Sequence, residues 1–245
     1  MAKFLTALPV YDEVKHVNDV LDQVRGYSDH VLVVDDGSTD GTGELLSRRS
    51  DVHVVTHGEN RGYGAALISA FEYALKNGFD YLVTIDCDGQ HVPQRIPALV
   101  EACDGVDLVS GSRYLQIFDG DSEPPQDRRR INFLITARLN ELLGLSITDA
   151  FCGFKAYRVS ALSSLALTEH GYAMPLELWV QAAKLNWRIK EYPVPLIYLD
   201  EDRSFGGSLD DGQTRLDYYN LVVDRSLAAF STDRPLCEAA EKNLE

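Results

Sequence analysis

No stretch of this chain approaches the roughly 20 consecutive apolar residues that a membrane-spanning helix needs. Basic residues are also scarce, 23 against 38 acidic ones, for a formal net charge of -15. A general nucleic-acid binder needs a basic face, so that class is excluded. The four cysteines, Cys87, Cys103, Cys152 and Cys237, lack any CxxC spacing. Free thiols in a reducing compartment are expected, rather than a zinc site or a disulfide framework. The opening "MAKFLTALPVYDE" turns acidic too soon for a secretory leader. Internal repeats and low-complexity segments are missing too. What remains is an ordinary apolar content of 45 %, enough for a full core in a chain of 245 residues.

That apolar content is distributed in alternation. "KFLTALPV", "HVLVVDD", "DVHVVTH", "DYLVTID" and "VDLVSGS" read as strands. Their continuous apolar character suits strands covered on both faces. Between them, Val14, Val17, Leu21 and Val24 recur at helical spacing, "GTGELLSRR" reads as a short helix, and "GAALISAFEYALKNG" is a helix closed by Gly78. A further helix follows Pro93 through "PQRIPALVEA". Strand–helix units of this length build a mostly parallel, Rossmann-like sheet flanked by helices, an α/β fold with right-handed crossovers. After Tyr114 the pattern changes. Residues 115–127 are rich in Pro and Asp and are expected to be mobile. A helix over 128–143, a strand in "FCGFKAYRV", a helix in "PLELWVQAAKLN" and a strand in "IKEYPVPLIYL" follow. Leu216, Tyr219, Val223 and Leu227 then form an apolar stripe at helical spacing. The expected organisation is one domain over 1–230, with a nucleotide-binding half (1–114), an acceptor-side half (115–230) and a polar tail at 231–245.

Ligands of open α/β sheets bind beyond the carboxyl ends of the strands. Three loops stand there. "DDGSTDGT" (35–42) caps a helix with its short polar side chains, which leaves the adjacent pair Asp35 and Asp36 unexplained. "ENRGYGAA" (59–66) opens a helix with GxG and offers N–H groups to a phosphate, although the third glycine of a dinucleotide fingerprint is missing. The third loop is "DCDGQH". Asp86 and Asp88 at one strand end repel each other unless a cation neutralises them. Oxygen ligands favour Mg²⁺ or Mn²⁺, and such a metal usually shares a substrate phosphate. Gln90 adds a hard amide oxygen, and His91 reads as a residue behind the ligands. The plain alternative is that both aspartates cap a turn and a helix.

"VVDDGSTDGT", "NRGYGAALISAFEYAL", "IDCDGQH", "SGSRY" and "TDAFCGFKAYR" follow one another in an order and spacing that resembles the family 2 inverting glycosyltransferases. The similarity runs from about Leu8 to about Ser208, and the nearest branch resembles the polyprenyl- and dolichyl-phosphate sugar transferases. The resemblance implies a GT-A fold, a nucleotide-diphosphate sugar of the GDP-mannose or UDP-glucose type, and a divalent metal. It assigns Pro9, Tyr11, Glu13 and Asp36 to the nucleobase and ribose, and Asp86, Asp88 and Gln90 to metal and diphosphate. Arg113 would approach the phosphates or the acceptor.

Inverting transfer to a hydroxyl needs a base, whereas a lipid phosphate is already anionic. Asp149 is the candidate base for an alcohol acceptor; with a phosphate acceptor it would orient the sugar, and its plain role is a turn aspartate. Arg128, Arg129 and Arg130 open a helix, where cations oppose the dipole. They read either as a solvated patch or as one that binds a phosphate or a membrane. "DRSFGGSL" resembles the branch's Arg-x-x-Gly-x-Ser-Lys segment through Arg203, Gly206 and Ser208, with Leu209 in the place of the lysine. Arg215 is the substitute cation. Glu177 reads as a site residue or an ordinary helix glutamate.

The expected activity is metal-dependent transfer of a hexose to a polyprenyl phosphate at the cytoplasmic face of a membrane, through peripheral contact or a membrane partner. Transfer to a sugar or protein hydroxyl, and non-catalytic binding of a sugar nucleotide, are the alternatives. A nucleotidyltransferase is disfavoured because "LPVYDEVKH" lacks a glycine-rich loop with arginine after the first strand. A receiver domain is disfavoured by length.

Overall fold

The computed structural model describes residues 2–199 and 206–231. Seven strands form one sheet in the order β3-β2-β1-β4-β6-β5-β7. They are β1 (Phe4–Val10), β2 (Val31–Asp35), β3 (His53–Thr56), β4 (Tyr81–Thr84), β5 (Leu108–Ser112), β6 (Lys155–Arg158) and β7 (Ile189–Pro193). All pairings are parallel except those of β6, which runs antiparallel to both β4 and β5. This is the mostly parallel, helix-flanked sheet expected from the alternation, and it agrees with the GT-A fold that the resemblance implies.

The helices are α1 (Val17–Arg25), α2 (Thr42–Leu46), α3 (Tyr63–Lys76), α4 (Ile96–Ala102), α5 (Gln126–Leu143), α6 (Val159–Leu162), α7 (Met174–Lys184) and α8 (Gly212–Ser231). Burial explains the periodicities. In α1, Val17, Val20, Leu21 and Val24 are buried, whereas Val14 stands outside the helix and is exposed. One apolar cluster joins α3, α5, α7 and α8 to one face of the sheet, with Trp179 fully buried in it. A second joins α1 and α4 to the other face. Both faces of the central strands are therefore covered, which is why β2 reads as an unbroken apolar run. Cys87, Cys103 and Cys152 are free and buried. Burial pushes the Cys103 and Cys152 thiols up to about 11. Cys237, Arg203 and residues 232–245 lie outside the described residues.

The segment before α5 is not the loose loop its composition suggests. Asp121 accepts from Phe118 N at 2.8 Å and from Leu196 N at 2.8 Å. Ser122 donates to Leu196 O at 2.7 Å and accepts from Tyr198 N at 3.1 Å. Its polar residues form hydrogen bonds across about 75 positions of sequence that fasten it to the segment after β7. No helix among the described residues is long and apolar enough to cross a membrane.

Candidate active site

Parallel strands deliver their carboxyl ends to one edge of the sheet. Because β6 runs the other way, its amino end arrives at the same edge. Val10, Asp35, Thr84 and Ser112 therefore end at the edge where the segment 149–154 leads into β6, with Thr84 and Ser112 on the two strands that flank it. A cavity of about 490 Å³ lies there. Pro9, Tyr11, Glu13, Asp36, Asp86, Asp88, Gln90, Arg113 and Arg128 all line it.

Asp36 is held rigidly. Its Oδ1 accepts from Arg61 N at 3.0 Å and faces His57 Nδ1 at 2.5 Å, and its Oδ2 accepts from Gly62 N at 2.7 Å. His57 Nε2 lies 2.9 Å from Ser69 Oγ, so a histidine without ligand spacing in the sequence orients a wall of the cavity. The same bonds change the reading of "RGYG". Arg61 N and Gly62 N serve Asp36, and Ala65 N donates to His170 O at 3.1 Å. A Cβ on Gly62 would overlap that carbonyl oxygen. The glycines let the 169–171 segment close over the start of α3, and these N–H groups are occupied by protein. The sequence-based phosphate cradle is corrected accordingly.

Asp86 is gripped from several sides. Tyr63, between the two glycines, donates its phenol to Asp86 Oδ1 at 2.9 Å. Burial, then the neighbouring Asp86 charge, raises the Tyr63 pKa well above its ordinary value, so the phenol keeps its proton. His91 Nε2 stands 3.3 Å from Asp86 Oδ2. A Cβ on Gly153 would overlap both carboxylate oxygens, so only glycine lets the chain entering β6 lie against Asp86. Asp88 accepts from Gln90 N and from Gln90 Nε2, both at 3.0 Å. The Gln90 amide nitrogen thus faces Asp88, which does not present the amide oxygen as a ligand beside that carboxylate. Among the described residues no group of three or more His, Cys, Asp and Glu side chains could by itself hold a metal ion. Two carboxylates facing a cavity fit a Mg²⁺- or Mn²⁺-type ion that completes its shell with water and substrate oxygens.

Asp149 differs from the expected base. It is fully buried and is absent from the cavity lining. Arg113 donates to it through Nε at 2.7 Å and NH2 at 2.9 Å. Asn132 Nδ2 donates at 2.8 Å and Phe151 N at 3.1 Å. Burial alone would raise this carboxyl. The Arg113 charge and these donors outweigh it and hold Asp149 far below the ordinary carboxylate range. A carboxylate so placed accepts no proton near neutrality and touches no ligand in the cavity; it fixes the guanidinium that does line it. Glu191 of β7 supports the arrangement, accepting from Thr148 N at 2.8 Å, Thr148 Oγ1 at 2.9 Å and Asp149 N at 3.2 Å.

The three consecutive arginines are not one patch. Arg128 turns into the cavity, while Arg129 and Arg130 are exposed on the outer face of α5. Ser208 sits exposed in a 3₁₀ turn at Gly207–Asp210 and does not line the cavity. Arg215 does line it, from α8, anchored to Asp127 Oδ2 at 2.6 Å and Leu209 O at 2.7 Å. Glu177 lies behind the site, accepting from Thr168 N and Glu169 N at 2.8 and 2.7 Å. Sequence reasoning also missed Tyr63, Asn132, Tyr172 and Tyr198 in the lining. Tyr63 was signalled by its place inside "GYG"; the others depend on packing.

The glycosyl transferase family 2 model matches residues 7–166. The chain belongs to that family, and it is a glycosyltransferase. It is 32 % identical over 233 residues to an undecaprenyl-phosphate mannosyltransferase of Micrococcus luteus, covering 90 % of this chain and 95 % of that one. It is 34 % identical over 203 residues to a polyprenol monophosphomannose synthase of Mycolicibacterium smegmatis, covering 78 % and 76 %. Among solved structures it superposes on glucosyl-3-phosphoglycerate synthase of Mycobacterium tuberculosis, crystallised with Mn²⁺, UDP and glucosyl-3-phosphoglycerate. That match has a TM-score of 0.70 at 20 % identity and covers 93 % of this chain and 80 % of the other, a likeness of fold.

Proposed function

We propose that this glycosyltransferase moves a hexose, with inversion, from a nucleoside-diphosphate sugar to a membrane-held polyprenyl phosphate. The carrying observation is the pairing of Arg113 with Asp149. The aspartate suited to deprotonate an alcohol is buried and committed to an ion pair, which favours an acceptor that arrives already anionic. Arg128 and Arg215 in the same cavity suit such a phosphate. The named relatives support the acceptor class and, through their mannosyl activity, the hexose.

In this reading Pro9, Tyr11, Glu13 and Asp36 bind the nucleoside, within a donor half at 1–114. The acceptor half spans 115–230. Asp86 and Asp88 would hold Mg²⁺ or Mn²⁺ with the diphosphate, and the ion's contribution is to neutralise that diphosphate. Tyr63 and His91 keep Asp86 aimed into the cavity. Breaking the anomeric carbon–oxygen bond puts negative charge on the departing nucleoside diphosphate, and Arg113, held by Asp149, is placed to stabilise it more in the transition state than before. The lipid phosphate oxygen attacks from the opposite face, and no protein group has to take a proton.

A donor panel with Mg²⁺ or Mn²⁺, read as nucleoside diphosphate release with and without polyprenyl phosphate, tests the assignment. Release from GDP-mannose or UDP-glucose should rise sharply with the lipid and yield a lipid-linked hexose. Glycosylation of a soluble sugar or protein alcohol, with the lipid ignored, would overturn it. The membrane side is the cytoplasmic face, where nucleotide sugars are supplied.

A further inference from the structure

Helix α5 divides its residues between two environments. Arg128, Ile131 and Asn132 face the cavity, whereas Arg129, Arg130, Phe133 and Leu134 face outward. Phe133 and Leu134 are each 45 % exposed, although apolar residues on a helix that serves only the core would turn inward. The Arg129 guanidinium lies 5.5 Å from the Phe133 ring centre, so cation and apolar surface are contiguous. Tyr114, which lines the cavity, packs on Phe133 with ring centres 5.2 Å apart. The chain leaves Tyr114 directly into Leu115 and Ile117, and Ile117 is 90 % exposed. Exposed apolar side chains therefore adjoin the cavity lining on two different elements, beside two outward arginines in a chain of net charge -15.

We propose that Leu115, Ile117, Phe133, Leu134, Arg129 and Arg130 form the surface by which this protein docks on a bilayer containing anionic lipid. The proposal rests on the polyprenyl-phosphate reading and specifies how the cavity meets an acceptor whose phosphate lies at the bilayer surface. Apolar side chains flanked by arginines suit the boundary between headgroups and acyl chains. Asp119 and Glu123 are exposed on the same loop and oppose the arginines, so insertion of the apolar side chains has to supply much of the binding. The electrostatic part acts only within about one Debye length, roughly 8 Å at physiological salt. Arg128 is excluded from this surface because it faces the cavity.

Sedimentation with vesicles of phosphatidylcholine and phosphatidylglycerol, containing neither polyprenyl phosphate nor sugar nucleotide, tests docking separately from acceptor use. Wild-type protein should sediment with these vesicles. The double variant Ile117→Ser/Leu134→Ser should bind at least tenfold more weakly. Arg129→Ser/Arg130→Ser should lose the part of the binding that salt suppresses, and Val54→Ser, on the distant edge strand β3, should bind as wild type. All variants should keep the wild-type melting temperature and the wild-type rate of transfer to a short, water-soluble prenyl phosphate. Wild-type protein that stays in solution, or Ile117→Ser/Leu134→Ser that sediments like wild type, overturns the proposal. A concentration-dependent dimer that Ile117→Ser/Leu134→Ser abolishes, without vesicle binding, also overturns it and makes the face a contact between copies. Vesicle binding of the expected pattern without transfer to any prenyl phosphate supports docking and defeats the acceptor reading instead.

Discussion

Replacing Asp149 by asparagine removes one charge and almost no volume. Its carboxylate receives hydrogen bonds from Arg113 Nε, NH2 and N, from Asn132 Nδ2 and from Phe151 N. An amide has one acceptor oxygen, and each Asp149 oxygen accepts from at least two of these donors, so at least two of them must face an N–H₂. With charge centres about 4 Å apart and an effective dielectric of about 20, the lost attraction to Arg113 is about 4 kcal/mol. That agrees with the roughly 3–5 kcal/mol cost of leaving one member of a buried pair alone. Removing a single group that stabilises the transition state commonly costs about 10²–10³ in turnover. If Asp149 acts only through Arg113, Asp149→Asn and Arg113→Met should each lose about that factor, and the double variant should lose little more. Initial rates of nucleoside diphosphate release with polyprenyl phosphate present measure this cycle, with melting curves to confirm folding. Losses that multiply, to about 10⁴ or more, would refute the positioning role, because the two side chains would then act independently. The pH profile is a second check. Asp149 is held far below the ordinary carboxylate range. A depressed carboxyl contributes stability above its unfolded pKa of about 3.8 and loses it only as pH falls toward the lower folded value. No rate limb between pH 5 and 8 should therefore belong to Asp149. An acidic limb there that Asp149→Asn abolishes would restore it as a base.

Other expectations follow from the same geometry. Chelation of divalent metal should weaken sugar-nucleotide binding by calorimetry, and Asp88→Asn should lose turnover by orders of magnitude while melting as wild type; undiminished affinity in chelator would contradict the carboxylate assignment. Gly153→Ala should displace Asp86 and lower turnover at least tenfold, with Ser163→Ala as an exposed control at wild-type rate. Arg128→Ser should impair transfer to a short, soluble prenyl phosphate while Arg129→Ser/Arg130→Ser does not; equal losses would mean that the three arginines act as one patch. Tyr63→Phe should reduce turnover about tenfold through a less constrained Asp86, and wild-type rates in that variant would remove the phenol from the site.

The succession of β1 to β5 along the chain and the strand-end residues that line the cavity, such as Asp36, Asp86 and Asp88, were legible because both depend on local pattern. Unbroken apolar runs require strands covered on two faces, and acidic residues clustered at strand ends mark the edge where a ligand can bind. Asp149 was not legible in the same way. Its chemistry is set by Arg113, 36 positions earlier in sequence, and by Asn132, 17 positions earlier, on a helix whose packing no period reveals. The arginine run was read as one unit because consecutive charges look alike in a sequence. Successive helical residues are rotated by about 100°, so Arg128 and its two neighbours meet different surroundings. Residues 115–127 looked loose from composition because Pro and Asp occur in loops generally, although Gln126 and Asp127 already belong to α5. Whether such a loop is anchored depends on distant partners, here Leu196 and Tyr198.

The reversed strand β6 is the feature that turns a nucleotide-binding sheet into a two-sided site. A parallel strand between β4 and β5 would send its amino end to the opposite edge. Running antiparallel, β6 brings the preceding segment to the edge where β4 delivers Asp86 and β5 delivers Arg113. Asp149 then grips Arg113, Gly153 lies against Asp86, and Lys155 donates to Ser110 Oγ at 2.6 Å inside β5. Thr84 at the end of β4 donates to Gly153 O at 2.7 Å and closes the set. A seven-residue segment thus fixes the separation between the carboxylate wall and the arginine that faces it. A shift of one element must disturb both, since packed cores transmit displacement rather than absorb it. The motif "TDAFCGFK" is therefore understood as a spacer between two charged walls, with its aspartate and its glycine at the two points of contact.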